Sequence, residues 1–461
     1  DSTAAQRFGL LRQVADALFH LHQAAVILEG LRPDIVVVTP EGRARLTDLG
    51  DLLPLPLPEH APIRGTLYTA PELLAASADV NARADLYGFG AMLYALHVGR
   101  ELSDTDFDAR GTPKPFVPRF PDVHPLFGRL VSKTFTHELG RRFPTDEAGR
   151  QDPTGFTELG RVLEVCGRTM DDVRLEIAAW TTTGMVRTGN EDAFAVLHSV
   201  ESRMDDLGES ALVILCDGMG GYEAGEVAAA LAIQALRKNV LGQPMFRTLA
   251  GGPAFEPMVP PQAAGKGGAA PPAAEGEAPV PFDVEACKKL FRDALRDTNK
   301  QVYNASRLPA GGRRTMGCTA ELVFVNGRHV VVGHVGDSRT YHLHEGRLVQ
   351  LTSDQTLVNR LVQLGQLTAE EAEHHPRKHE LQQAIGGQPD VDPGVYAGKM
   401  SPGDWVVVCS DGVSNHVSAD DLRHMLQSEA TSAEMAARRL VNFVNIMGAT
   451  DNATVVVLRA T

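Results

Sequence analysis

The stretch ALVILCDGMGG at residues 211–221 runs from an apolar segment into an aspartate and a glycine-rich turn. A short apolar run bounded by turn residues is typical of a buried strand, which places Asp217 at a strand end. Four further aspartates stand at turns beside strand-like runs. They are Asp192 in RTGNEDAF (187–194), Asp337 in VVVGHVGDSR (330–339), Asp411 in WVVVCSDGVS (405–414) and Asp451 in GATDNATVVVL (448–458).

These aspartates predict a metal centre built from carboxylates. A sheet can supply ligands from the ends of several strands, and oxygen ligands without nearby Cys or paired His suit hard cations such as Mg²⁺ and Mn²⁺. Taken singly, an Asp-Gly pair after a strand is more often an ordinary turn residue than a ligand. The hypothesis therefore depends on the whole set.

In their order, these segments resemble the metal-dependent serine/threonine phosphatases of the protein phosphatase 2C (PPM) family, bacterial type. That family shows the series R-x-x-N-E-D, D-G-M-G-G, G-D-S-R, S-D-G and D-N-x-T, and every element is present here, over about residues 172–461. The resemblance implies an α/β (α+β) fold, a β-sandwich flanked by helices. It also implies hydrolysis of phosphoserine and phosphothreonine by a metal-activated water, with two Mn²⁺ or Mg²⁺ ions as cofactors.

The same resemblance assigns the metal ligands. Asp217 is expected to bridge both metals, with the Gly218 carbonyl and Asp192 completing the coordination around them. Asp411 and Asp451 are expected to hold the other metal. Two cations can neutralise the phosphate and orient the attack on it.

Other motif residues receive supporting roles from the resemblance. Glu191 is expected to accept hydrogen bonds from metal-bound waters. Arg187 resembles the phosphate-binding Arg and is expected to be catalytic together with Asp217 and Asp411, because its planar fork of donors suits phosphate. Asp337 either shares a weaker third metal site with Asp411 or caps the turn before Arg339.

Histidine gives no clear general acid. Met219 occupies the neighbourhood where many eukaryotic members carry a His, as in bacterial relatives. His334 lies in an apolar run and is predicted to be a core residue. His374, His375 and His379 lie in a stretch that resembles the family's mobile flap, and we expect them to be exposed to solvent.

Residues 1–168 resemble the C-terminal lobe of a protein kinase that has lost its chemistry. The kinase catalytic loop H-R-D-L-K-P-x-N aligns with LEGLRPDI (28–35), in which Leu28, Glu29 and Gly30 replace H-R-D and Ile35 replaces the Asn. Other landmarks persist, namely Asp48 in DLG, the triplet Ala70, Pro71 and Glu72, and Asp85 in ADLYGFG. This resemblance implies a mainly helical pseudokinase lobe that acts in docking or regulation.

Periodicity predicts the main elements. Helices are expected at 7–23, 71–77, 85–99, 226–240 and 284–306, and a short strand pair at 35–50. Asn-Gly and Glu-Gly turns within 317–354 predict successive hairpins. Gly220, Gly221 and Gly225 allow a tight backbone near the metals, and the Ala/Pro/Gly-rich segment at about 242–281 is expected to be a disordered insertion.

Composition limits the partners and the compartment. The net charge of −14 argues against nucleic acid or an anionic membrane as the main partner. Five single cysteines without C-x-x-C spacing fit a reduced cytoplasm, and the sequence has no apolar run long enough to span a membrane. The first residue is not Met, and the sequence leaves open whether a kinase N-lobe precedes Asp1.

Phosphorylated proteins, and protein kinases or their substrates, are the expected partners. Two alternatives stay open at this point. The chain could be a non-catalytic scaffold of pseudokinase and pseudophosphatase, or a phosphatase dedicated to one regulatory partner. Retention of all five aspartates and Arg187 favours an active enzyme over the scaffold.

Overall fold

The computed structural model describes residues 4–75, 77, 79–144, 152–170, 173–203, 206–219, 224–246, 249, 282–307 and 316–461. The chain forms two compact units, one of residues 1–171 with 203–206 and the other of residues 172–202 with 207–461. Most of the predicted insertion at 242–281, together with Gly220 and Gly221, lies outside the described residues. Among the residues described, no helix is long and apolar enough to cross a bilayer.

The first unit is mainly helical. Its helices are α1 (Ala4–Gln23), α2 (Pro71–Leu74), α3 (Ala84–Val98), α4 (Phe116–Arg119), α5 (Pro125–Thr134) and α6 (Phe156–Thr169). Its short strands are β1 (Val26–Leu28), β2 (Val36–Val38), β3 (Ala44–Leu46) and β4 (Leu52–Pro54), paired as β1 with β4 and β2 with β3. The helix predicted at 71–77 is only a single turn, whereas α1, α3 and the β2–β3 pair confirm the expectation.

Helix α3 is the centre of this unit. It is apolar on all sides, and its residues from Ala84 to Ala95 are buried, as expected for a helix that lies inside a core. Gly90 permits its close contact with the end of α5, because a Cβ there would lie 2.4 Å from the backbone nitrogen of Phe135. Gly99 adopts φ +72° and ends the helix in the left-handed conformation.

The second unit contains the remaining elements. Its strands are β5 (Leu175–Thr182), β6 (Asp192–Arg203), β7 (Asp206–Met219), β8 (Gly317–Cys318), β9 (Ala320–Asn326), β10 (His329–Val335), β11 (Arg339–His344), β12 (Arg347–Gln350), β13 (Gly394–Lys399), β14 (Trp405–Cys409) and β15 (Ala453–Ala460). Its helices are α7 (Ala224–Leu241), α8 (Val284–Ala305), α9 (Leu357–Gln363), α10 (Ala369–Glu373), α11 (Asp411–Ser414), α12 (Ala419–His424) and α13 (Ala433–Ile446).

These strands form two sheets that pack face to face. One has the order β13-β10-β9-β7-β6, with β8 added on β7, and the other has the order β12-β11-β14-β15-β5. Alternate residues of each strand point to opposite faces. Val332 of β10 packs in the core between the sheets together with Val408 and Val456, whereas its neighbour Val331 packs in the core beneath α7 and α8.

Helices cover the outer faces of this sandwich. Helices α7 and α8 pack on the first sheet, and α13 packs on the second. The hairpin β9–β10 turns at Gly327 and Arg328, between the paired residues Asn326 and His329. The hairpin β11–β12 turns at Glu345 and Gly346, where both residues have positive φ. The predicted mixed α/β sandwich with flanking helices is therefore confirmed for the second unit, as are its hairpins and both long helices.

Candidate metal centre

The strand register brings the motif aspartates to one edge of the sandwich. In one sheet, Asp217 and Gly218 lie just before the end of β7 at Met219, with Gly218 opposite Cys318. In the other, Cys409 at the end of β14 pairs with both Arg339 and Val455. The turns that carry Asp337, Asp411 and Asp451 therefore meet at this edge, as predicted from their positions beside strands.

A cavity of about 500 Å³ opens between these strand ends. Its lining combines the acidic residues with parts of the segment that follows α10. The lining side chains include Arg187, Glu191, Asp217, Met219, Asp337, His379, Asp411 and Asp451. With Gly218, this set includes every predicted site residue except Asp192, which is not among the lining residues.

Asp192 is held by two hydroxyl groups from the other sheet. Ser410 Oγ and Thr454 Oγ1 donate to its Oδ2 at 2.8 and 2.7 Å. Its Oδ1 is buried and has no hydrogen-bond partner. Because an unsatisfied buried carboxylate oxygen is costly, this atom is suited to a cation or to a water bound to one.

Asn452 fixes the loop that leads into Asp192. Its Oδ1 accepts from the backbone nitrogen of Glu191 at 2.8 Å, and its Nδ2 donates to the carbonyls of Gly189 and Thr183 at 2.8 and 3.1 Å. Every polar atom of this side chain is thus used in joining two distant segments. Asp451 is positioned by the same turn, because its Oδ1 accepts from the backbone nitrogen of Asn452.

Gly218 occupies a space too small for any side chain. A Cβ at this position would lie 2.4 Å from the carbonyl oxygen of Gly225 and 2.7 Å from that of Glu191. Its backbone nitrogen donates to the Glu191 carbonyl at 3.2 Å. This close approach of three backbone segments explains the glycine and directs the D-G turn toward the cavity.

The carboxylates raise one another's pKa values. Burial, followed by the fields of Asp192, Asp411 and Asp337, raises the pKa of Asp217 well above its ordinary value. Burial also raises the pKa of Asp411, which hydrogen-bonds to Asp217. The side chains retain some surface toward the cavity, but close packing around them still disfavours the charged form.

Two further carboxyl groups show the same effect. The pKa of Asp192 is raised to about 6 by burial and by the charges of Asp411 and Asp451, although its two hydroxyl partners oppose the shift. The pKa of Asp337 is raised to about 7 by burial and by Asp411 and Asp354. Without a cation, the cluster therefore stores like-charge repulsion.

Arg187 supplies a cation at the rim of the cavity. Its Nη2 lies 2.8 Å from Asp451 Oδ2, and about half of each side chain is exposed. Arg339, by contrast, is committed to Asp354 through two of its nitrogens. Of these two described arginines, Arg187 is therefore the one whose guanidinium is available to an anion that enters the cavity.

The residues present fit a divalent-cation centre. The donor set consists of carboxylates and a backbone carbonyl, which suits Mg²⁺ or Mn²⁺, and the orphaned Oδ1 of Asp192 is directed to no protein partner. Among the described residues, no three carboxylates of the cluster bring one oxygen each within 4.8 Å of one another. Cation binding would draw the oxygens together, because each carboxylate is attracted to the same positive charge.

The histidine predictions hold with one addition. His334 is fully buried, bonded to Glu321 and to the Ser353 carbonyl, and is the satisfied core residue that was expected. His374 and His379 are exposed and His375 is partly so. His379, however, also lines the cavity, where its charge lowers the pKa of Asp411 against the larger effect of burial.

The sequence alone did not identify the side chains that support the ligands. Ser410, Asn452 and Thr454 belong to the S-D-G and D-N-x-T segments, in which only the aspartates were predicted to be ligands. Thr319 was missed as well; its Oγ1 accepts from the Asp217 backbone nitrogen at 3.0 Å and bonds to Ser338 Oγ. For Asn452 and Thr454, the available signal was a pair of polar residues at alternate positions where the apolar strand β15 begins.

Comparisons with known proteins find serine/threonine phosphatases that are similar to this chain. The family model described as protein phosphatase 2C matches residues 187–445. Protein phosphatase PhpP of Streptococcus pneumoniae serotype 2 (strain D39) is 29% identical over 284 residues, 61% of this chain and 96% of that protein. Serine/threonine phosphatase stp of Listeria monocytogenes is 28% identical over 280 residues, 60% of this chain and 93% of that protein. The solved S. agalactiae serine/threonine phosphatase is 28% identical, with TM-score 0.49, covering 62% of this chain and 100% of that chain.

Proposed function

This chain belongs to the protein phosphatase 2C family of serine/threonine phosphatases, and we propose that residues 172–461 hydrolyse phosphoserine and phosphothreonine in proteins with two Mn²⁺ or Mg²⁺ ions. The observation that carries the proposal is the buried, unpartnered Oδ1 of Asp192 within a cluster of carboxylates of raised pKa. Such a cluster is costly to keep unless cations neutralise it.

Each predicted site residue has a proposed role in this reaction. Asp217 would be shared between the two cations. The other proposed ligands are Asp192, the Gly218 carbonyl, Asp411 and Asp451. When bound, the cations neutralise the phosphate and supply a nucleophile at neutral pH.

Arg187 is the proposed phosphate-binding residue. Its guanidinium is half-exposed and held over the cavity by a single contact with Asp451. If Asp451 turns to a cation, the Arg187 fork is released to hold two oxygens of a phosphate group. Glu191, fixed through its backbone by Asn452, would orient water at the same place by accepting hydrogen bonds.

Asp337 is proposed to contribute to a weaker third cation site with Asp411. The charge of Asp411 raises the pKa of Asp337, which supports the closeness of the two carboxyl groups. The alternative is a cap for the turn before Arg339, with which the hydrogen bond of the Asp337 carboxyl to its own backbone is compatible. A titration of Mn²⁺ would separate the two roles. If Asp337→Asn loses only a third, weaker ion, Asp337 is a ligand and not a turn cap.

The test is hydrolysis of a phosphothreonine peptide by the full chain with Mn²⁺, with EDTA, and in the variants Asp217→Asn and Asp411→Asn. We expect turnover that requires the cation and falls by several orders of magnitude in both variants. Asp297→Asn is the matched control, because this aspartate is exposed and pairs only with Lys300. A folded wild type without metal-dependent turnover would instead establish the scaffold alternative.

The first unit is proposed to be a kinase-like lobe without kinase chemistry. Three contacts show that two of the retained kinase-lobe residues, Glu72 and Asp85, have structural partners. Arg142 is fully buried and bonds through both terminal nitrogens to Glu72 at 2.6 and 3.0 Å. Asp85 accepts from the backbone nitrogen of Leu28 at 3.0 Å and pairs with His22 at 2.7 Å.

The replaced catalytic loop has acquired a structural contact. The Glu29 carboxylate is buried and accepts from the backbone nitrogens of Arg64 and Gly65 at 2.7 to 3.1 Å. A carboxylate used in this way is not free to act as a base. Asp48 likewise bonds only to its own turn, through the Gly50 nitrogen at 2.9 Å.

We propose that this lobe docks or regulates, recruiting phosphorylated proteins, protein kinases or their substrates to the phosphatase. A cytoplasmic location is proposed on the basis of five free, buried cysteines. Thermal unfolding with and without Mg²⁺-ATP tests the first unit: we expect no shift, and a nucleotide-dependent shift would contradict the loss of kinase chemistry.

A further inference from the structure

A second cluster of metal-ligating side chains lies on β11, away from the acidic cavity. His342 and His344 are two residues apart on this strand and therefore point to the same face. Asp404 stands immediately before β14, whose Trp405 pairs with Leu343 between the two histidines. The register thus places one carboxylate against two imidazoles.

The distances match those within a metal site. Asp404 Oδ2 lies 3.0 Å from His342 Nε2, and His344 Nδ1 lies 2.8 Å from Asp404 Oδ1 and 3.1 Å from Oδ2. Among the described residues, this is the one group of three His, Cys, Asp or Glu side chains whose candidate ligand atoms all lie within 4.8 Å of one another. In tetrahedral zinc sites with bonds of about 2.0 Å, neighbouring ligand atoms are about 3.3 Å apart.

The surroundings hold the carboxylate and leave one side open. The Asp404 side chain is 4% exposed and that of His342 is 17% exposed, whereas that of His344 is 47% exposed. The Ser401 backbone nitrogen donates to Asp404 Oδ2 at 2.8 Å and fixes its orientation, as partners of metal-binding carboxylates commonly do. An ion could enter past His344 and keep a water as its fourth ligand.

The charges nearby favour a cation here. The field of Asp404 and, more weakly, that of Glu345 act on His344, while Arg328 opposes them.

This cluster differs from the acidic cavity in place and in chemistry. It lies at the far end of β11 from Arg339, five residues away, or about 16 Å at 3.3 Å per residue. Two imidazoles and one carboxylate suit Zn²⁺ and similar transition ions, whereas oxygen ligands alone suit Mn²⁺ and Mg²⁺. The two places should select different cations from the same solution.

We propose that His342, His344 and Asp404 form a second, structural site for Zn²⁺ or a similar transition-metal ion, which ties β11 to the turn before β14. The site holds one ion with three protein ligands and one water. It takes no part in the phosphatase reaction, so its occupation changes the stability of the sandwich and not the chemistry in the cavity.

Cobalt spectroscopy of the full chain tests the proposal. Co²⁺ in a four-coordinate site absorbs visible light far more strongly than Co²⁺ held octahedrally by oxygen ligands. Asp217→Asn provides the background, since it weakens the acidic centre. We expect strong visible bands that saturate at one ion per chain and disappear when one equivalent of Zn²⁺ is added.

Variants of the histidines complete the test. His344→Gln keeps a group that can hydrogen-bond to Asp404, so the fold should persist, while affinity for Zn²⁺ falls at least about tenfold. His424→Ala is the control, because this histidine is also exposed and pairs with a carboxylate, Glu429. Zn²⁺ should raise the unfolding temperature of the control but not of His344→Gln. Weak octahedral bands, or equal zinc affinity in both variants, would overturn the proposal.

Discussion

The hydroxyl of Thr454 lies 2.7 Å from Asp192 Oδ2 and joins residues 262 positions apart in the chain. Thr454 is the second residue of β15 in one sheet, and Asp192 is the first residue of β6 in the other. The contact therefore links the two sheets at the edge where the acidic cavity lies. It leaves the second oxygen of Asp192 free of any protein partner.

Replacing Thr454 with Val should weaken cation binding while preserving the shape of the side chain. Asp192 would keep only the Ser410 hydroxyl and would reorient more freely. Loss of such a supporting contact lowers metal affinity by about 10- to 100-fold. Titration of Mn²⁺ by calorimetry and by turnover measures the effect. Thr169→Val, which removes a hydroxyl bonded to the Val165 carbonyl in α6, should leave both titrations unchanged.

The stability of the cation-free protein should fall as the pH rises from about 4 to about 7. Folded Asp192 and Asp337 have pKa values of about 6 and about 7, above the unfolded value near 3.9. The folded state therefore binds more protons in this range, so the stability contributed below the unfolded pKa is lost as the pH passes through the folded values.

Asp192→Asn isolates this effect. A two-unit shift corresponds to about 3 kcal/mol, so the variant should be more stable than wild type in EDTA at pH 8, but not at pH 4. Denaturant unfolding at both pH values measures the difference. Mn²⁺ should restore the wild type at pH 8. Parallel pH profiles for the two proteins would show that Asp192 does not carry the raised pKa.

Arg187→Lys should impair the reaction even though the positive charge is kept. An ammonium group cannot present the planar pair of donors that a phosphate accepts, and we expect kcat/KM for a phosphothreonine peptide to fall on the order of 10²-fold. The matched control is Arg174→Lys, since Arg174 is similarly exposed and paired with Glu209. Equal activity of the two variants would remove Arg187 from phosphate binding.

Gly218→Ala should disrupt the centre by steric means alone. The added Cβ would meet the Gly225 carbonyl oxygen at 2.4 Å, so the D-G turn must move and carry its carbonyl away. We expect loss of Mn²⁺-dependent turnover and a lower unfolding temperature. Gly189→Ala is the comparison, because a Cβ there meets nothing within 4 Å, and its turnover should match wild type.

Glu72→Gln should destabilise the first unit strongly. Arg142 would be left buried with half of its ion pair removed, a change that costs about 3–5 kcal/mol. Calorimetry should show the loss in the transition of this unit. Glu138→Gln removes an exposed pair with Arg141 and should cost less than about 1 kcal/mol; comparable losses in both variants would contradict the buried role of Glu72.

Local patterns in the chain were enough to predict much of the second unit. Apolar runs ending in turn residues located the strands and their aspartates, and Asn326-Gly327 and Glu345-Gly346 predicted hairpins that the structure contains. These features depend on neighbours a few residues apart, because turn chemistry and side-chain alternation act over that range. The family resemblance then supplied the roles expected of the aspartates.

Only the tertiary structure decided what each of these residues touches. The bond from Thr454 to Asp192, the use of Asn452 to hold Glu191, and the place of His379 in the cavity wall all join segments far apart in sequence. The cluster of His342, His344 and Asp404 likewise depends on the pairing of β11 with β14. The spacing of residues along the chain does not predict which residues lie close together in a β-sandwich. Strand register and the packing of the two sheets determine those contacts.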